Sequence, residues 1–170
     1  MTAIIARLDL WLTRLLDWAV IGLAGLLFCL LNVAVFTRFV LNDSVSWSEE
    51  LPAHVLAVLT FIGAAYLTRT SEHLGFDAVV RILPPAAKRA VMAGNLLLMA
   101  FFGGLLAYYG GIAAASFGSR MLISVDLPMA LFRYAMPVGG ALIAVISLTR
   151  LAGLLTGRVA PDDLLPESDA

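Results

Sequence analysis

Four long apolar runs alternate with short polar segments along the chain. Ala19 to Thr37 holds 19 residues without a charge, and Leu51 to Thr68 holds 18 in which His54 is the sole ionisable group. Ala90 to Phe117 adds 28 uncharged residues, and Leu127 to Thr149 is interrupted by Arg133 alone. About 18 apolar residues suffice to cross a hydrocarbon core of about 30 Å. The pattern therefore predicts an all-α membrane protein with four transmembrane helices, spanning about 18–40, 48–69, 88–117 and 127–149.

The flanks show a second kind of pattern. Ile4, Ile5, Leu8, Trp11, Leu12 and Leu15 recur at helical spacing, while Arg7, Asp9, Arg14 and Asp17 resist burial. This predicts an N-terminal interfacial amphipathic helix over 1–17, the alternative being a simple extension of the first span. In the second connection Phe76, Val79, Val80 and Leu83 keep an i, i+3, i+4, i+7 rule, which predicts a short interfacial helix ended by Pro84-Pro85. The membrane domain thus occupies 18–155, and 156–170 reads as a flexible, acidic tail.

Helix ends follow from local chemistry. Ser46 to Glu49 has capping-box spacing, but Pro52 must lie in the first turn, which favours Ser48 as the cap. Asp126 is placed to cap the fourth span with Pro128 just inside it. Pro137 predicts a kink there. Gly22 and Gly25 leave room beside the first span. Gly103, Ala107, Gly111 and Ala115 fall four apart in the third, a stripe that admits another backbone from this subunit or from a partner.

Composition sharpens this picture. The 170 residues are 61% hydrophobic and 14% charged, against roughly 25% charged in soluble domains, and no large soluble domain fits. A net charge of −1 offers no basic face for nucleic acid. The lone Cys29 cannot form an internal disulfide. The first apolar run exceeds a signal-peptide core and reads as an uncleaved helix. Eight of the 11 basic residues fall on the side of the termini and the second connection, and three on the other. The positive-inside rule then places both termini in the cytoplasm.

Candidate chemistry is sparse. His54 and His73 lie 19 residues apart, roughly 28 Å along a helix, too far to ligate one haem. No cluster has metal-ligand spacing. A proton-coupled exporter needs an ionisable group deep in the membrane, and His54 and Arg133 are both near the outer end. For Glu49 and Glu50, helix capping competes with pairing to Arg38 or Arg133, and Glu50 with His54 is a possible i, i+4 pair. Trp47 fits an interfacial anchor. For Arg69, Glu72, His73 and Asp77, the charge cluster by itself reads as a solvated loop. Membrane lipid is a further partner, facing Arg81, Lys88 and Arg89.

Arg38-Phe39-Val40-Leu41-Asn42 is followed by Val45-Ser46-Trp47-Ser48-Glu49-Glu50-Leu51, then Gly63, then Arg69 with Glu72-His73-Leu74 and Asp77. Pro128, Tyr134, Pro137 and Gly139 complete the set. Over roughly 18–150 the chain resembles the small membrane (Q-type) subunit of TRAP, the tripartite ATP-independent periplasmic transporters. Pro52 and His54 depart from the family pattern.

The resemblance implies a non-enzymatic subunit of the bacterial inner membrane. It would scaffold a large elevator-type permease subunit that carries the sodium and substrate sites, and Arg69, Glu72, His73 and Asp77 would form a hydrogen-bonded turn that contacts that subunit. A periplasmic substrate-binding protein would deliver an organic acid, and this subunit would need no cofactor. The alternatives are a self-contained small transporter or the membrane anchor of a redox complex.

Overall fold

The computed structural model describes residues 2–70, 80, 82–157 and 159, with only the backbone described for 2–10. Among the described residues there are five helices: α1 Thr2–Phe39, α2 Glu50–Thr70, α3 Pro85–Phe117, α4 Ala130–Arg133 and α5 Ala135–Leu155. Taking α4 and α5 as one span, four segments among the described residues are long and apolar enough to cross a membrane. No strand occurs among the described residues; an isolated antiparallel bridge joins Met121 to Pro128.

The two N-terminal elements expected from sequence are one. α1 runs unbroken for 38 residues, about 57 Å, and so reaches well beyond a core of about 30 Å. No Gly or Pro lies between 8 and 18 to interrupt the backbone ladder where the amphipathic pattern gives way to the apolar one. At its other end Asn42 adopts φ 51°, a left-handed conformation that Asn tolerates better than most residues. This turns the chain so that the Val40, Leu41 and Asp43 amides donate to the Phe36 and Thr37 carbonyls.

α5 is the spine of the fold. A Cβ on Gly140 would lie 2.7 Å from the Ala107 nitrogen and 2.8 Å from the Gly103 oxygen; one on Gly103 would lie 2.7 Å from the Ala144 nitrogen. The backbones of α3 and α5 therefore touch, which only glycine permits. On the adjacent side, a Cβ on Gly139 would come within 2.7 Å of the Phe61 oxygen, so α5 also meets the backbone of α2. Two neighbouring glycines thus serve two different helices.

Within this chain only part of the small-residue stripe is in contact. The buried face of α3 runs through Leu96, Ala100, Gly103, Gly110 and Ala114, with Ala107 half-buried between them. These spacings alternate between three and four. A strict four-residue stripe advances 400° per step and drifts about 40° around the helix each time. Hence Gly103 and Ala107 are in the contact, a Cβ on Gly111 would meet nothing within 4 Å, and Ala115 is exposed. The partner along the buried face is this subunit's own α5.

Around this core α1 is an outrigger. It lies against α2, and from Trp11 onward Leu16 is its one buried apolar side chain. A Cβ on Gly22 or Gly25 would meet nothing within 4 Å, so no helix of this chain uses the room they leave.

Pro137 acts as expected. It cannot donate to the Arg133 carbonyl, and the helix is interrupted at Tyr134, between α4 and α5. The start of this span differs from expectation. Residues 120–129 fold back on themselves through Leu122 N–H to Leu127 O and Met129 N–H to Arg120 O. Pro128 is held in that bridge, the helix opens at Ala130, and Met129 rather than Asp126 occupies the cap, with no side-chain bond. Pro85 takes the first position of α3, so that helix starts three residues before the expected 88.

Ser147 on α5 is fully buried, and its hydroxyl has no partner among the described residues. Ser147→Ala removes an unpaired buried polar group at little cost in volume. It is expected to leave stability unchanged or raise it by about 1 kcal/mol, read as the thermal unfolding midpoint of the detergent-solubilised chain.

Candidate functional site

The polar chemistry of the described chain collects at the two ends of the bundle. At the end carrying the α1–α2 hairpin, Glu50 is the organising residue. Its carboxylate accepts the Ile123 amide at 3.1 Å, the Ser124 amide at 2.8 Å and the Ser124 hydroxyl at 2.5 Å. Ser46 reinforces the junction, its hydroxyl donating to the Ser124 carbonyl at 3.5 Å. The start of α2 is thereby clamped to the tip of the 118–129 loop, which places Ile123 at 96% exposure.

This arrangement corrects the capping expectation. α2 begins at Glu50, two residues later than the 48 expected, and Ser46 reaches across the molecule rather than to its own helix. Leu51 N–H donates to the Trp47 carbonyl, so a backbone turn does what a capping side chain would have done. Trp47 is half-buried at the entry to α2.

The two adjacent glutamates have separate partners. Glu49 lies 3.8 Å from Arg38 across the hairpin, with both side chains mostly exposed, so the pair contributes little to stability. Glu50 pairs with neither Arg38 nor Arg133. The His54 pair also differs from expectation, because Nδ1–H donates to the Glu50 backbone oxygen at 2.8 Å and not to its carboxylate. The imidazole meets the Phe132 ring at 5.2 Å, which joins α2 to α4. Arg133 stands over the Phe117 ring at 5.2 Å, with a guanidinium nitrogen 3.7 Å from Met129 Sδ.

At the opposite end Arg69 links three helices. Its Nε–H donates to Thr13 Oγ1 at 2.7 Å, tying α2 to α1, and its carbonyl accepts from Arg150, tying α2 to α5. Glu72, His73 and Asp77, and the short interfacial helix expected around them, lie outside the described residues. So does most of the expected tail.

Ser124, Ile123, Thr13 and Arg150 were not legible as partners in the sequence. Gly140 was missed as well, although Gly140 and Ala144 fall four apart, the same small-residue signal read in α3. Among the described residues no three His, Cys, Asp or Glu side chains gather as metal ligands.

Residues 27–157 match the family model described as the DctQ component of tripartite ATP-independent periplasmic transporters. The chain is similar to the sialic acid TRAP transporter small permease protein of Vibrio cholerae, at 24% identity over 79% of this chain and 78% of that protein. It is 25% identical to the ectoine TRAP transporter small permease protein of Halomonas elongata, over 91% and 81%. A C4-dicarboxylate TRAP transporter small permease protein of Rhodobacter capsulatus is 30% identical over 56% of this chain and 43% of its own length.

Proposed function

Because the chain belongs to the DctQ-component family of the tripartite ATP-independent periplasmic transporters, we propose that it braces a large permease subunit for uptake of a small organic acid. It is the small permease subunit of such a system. The finer reading has the large subunit carry the substrate and sodium sites and move as an elevator against this fixed frame. A periplasmic binding protein delivers the solute. Both termini face the cytoplasm of a bacterial inner membrane, and the Glu50 clamp faces the periplasm.

The observation that carries the bracing role is the unequal use of helix surface. α5 meets α2 on one side and α3 on the other, backbone to backbone, contacts that resist deformation. α1, in contrast, leaves large apolar side chains such as Phe28, Phe36 and Phe39 exposed. A rigid core with a broad apolar flank suits a part that holds a neighbour. The relatives support locating selectivity elsewhere. Those named for sialic acid and for ectoine match this chain about equally well, at 24% and 25%. A subunit that chose the substrate would be expected to track it more closely.

Co-purification with the neighbouring large permease, followed by reconstituted uptake under a sodium gradient, tests this. The permease is expected to retain the tagged chain, and uptake is expected to need both. Undiminished uptake by the permease alone, or transport by this chain alone, would overturn the reading.

A further inference from the structure

Between α2, α3 and the α4–α5 junction lies a crevice of about 200 Å³, near the hairpin end of the bundle. Its walls are apolar: Ala57 and Phe61 from α2, Gly110 and Ala113 from α3, and Phe132 and Met136 from the last span. Its polar lining comes from His54 and Arg133. Arg133 is unusual among the basic residues. Its Nε is shielded from solvent and has no hydrogen-bond partner, and no carboxylate among the described residues pairs with the guanidinium. The His54 Nδ1–H is already committed to the Glu50 carbonyl.

Arg133 is half-buried, its Nε is unpaired and a second guanidinium nitrogen meets only Met129 Sδ, so the cation lacks an oxygen acceptor, which an anion reaching its open side would supply. The apolar walls specify the rest of the occupant. The crevice is too small for a helix, which is about 10 Å across, but takes a single narrow chain. It reaches from Arg133, near the start of its span, to Phe61, about three turns into α2. That is the geometry of a headgroup at the membrane surface with a hydrocarbon tail below it. We propose that this crevice is a binding site for one anionic glycerophospholipid. The phosphate sits on Arg133, and one acyl chain lies along Ala57, Phe61 and Ala113. The site belongs to this subunit alone and does not depend on the transporter reading above.

The test uses the full-length chain, delipidated in detergent and titrated with phosphatidylglycerol or with diacylglycerol, which lacks the phosphate. Bound lipid is counted by native mass spectrometry. A single phosphatidylglycerol adduct is expected, well above diacylglycerol. Arg133→Leu should weaken it roughly fivefold or more, about what one cation contributes near an anionic headgroup. Ala113→Leu fills the crevice without touching the cation and should weaken it comparably. Arg120→Leu, which removes an exposed cation at the same end, should leave it unchanged. Helicity by circular dichroism checks that each variant is folded, and Arg133→Lys supplies a milder change that should retain part of the binding. Equal adducts on the wild type and Arg133→Leu, or equal retention of diacylglycerol, would overturn the proposal. So would loss of the adduct on binding the permease, because a carboxylate of that partner would then be the group seated on Arg133.

Discussion

Gly140→Leu is expected to separate α3 from α5 and to cost about 3 kcal/mol or more, the upper range for overpacking. The added Cβ alone would stand 2.7 Å from the Ala107 nitrogen and 2.8 Å from the Gly103 oxygen. Neither backbone atom can rotate out of the way as a flexible side-chain end would. Leucine is the better helix former by nearly 1 kcal/mol, which offsets only part of the cost. Chemical unfolding in detergent, with crosslinking between cysteines placed on α3 and α5, reads the effect. Gly111→Leu is the matched control. A Cβ there meets nothing within 4 Å, so it should be no less stable than the wild type, and up to about 1 kcal/mol more stable from helix propensity alone. Equal damage from both would mean that the helices do not meet where the glycines place them.

Glu50→Ala should free the 118–129 loop. It removes the one carboxylate that receives the Ile123 and Ser124 amides and the Ser124 hydroxyl together. Amide hydrogen exchange at Ile123 and Ser124 is expected to speed up by roughly tenfold, because these groups lose their acceptor while the helices around them stay closed. Glu50→Gln should fall between, since the amide keeps one acceptor oxygen but turns a donor toward a backbone N–H. Ser124→Ala should lose only the hydroxyl bond. If the loop governs assembly with the permease, uptake should fall in the same order. Unchanged exchange in Glu50→Ala would show that the Met121–Pro128 bridge holds the loop unaided.

These two residues also show what the sequence discloses. The four spans were legible because charge-free runs of this length have no other use in an 18.1 kDa chain. The interruption near Pro137 was legible because a missing N–H acts on its own helix. Gly103 and Ala107 were read in a contact stripe and meet α5, while Gly111 and Ala115 lie off that contact, because its register alternates three and four. The role of Glu50 was hidden for a different reason. Its partners lie 73 and 74 residues away in a loop with no periodicity, so nothing local to Ser46-Trp47-Ser48-Glu49 distinguishes a cap from a clamp. The Ser46 hydroxyl was lost to the same distant loop. Likewise Thr13 and Arg69 come from elements whose separation along the chain conceals their meeting.

The one-sided attachment of α1 has a consequence for biogenesis. The ribosome delivers this helix to the translocon directly before α2, the neighbour it rests on. The opening pair can therefore close before the remainder is synthesised, and α3 with α5 can close later as a second unit. Neither step requires an early helix to wait in lipid for a late one, except where Gly139 of α5 returns to Phe61 and locks the two halves together.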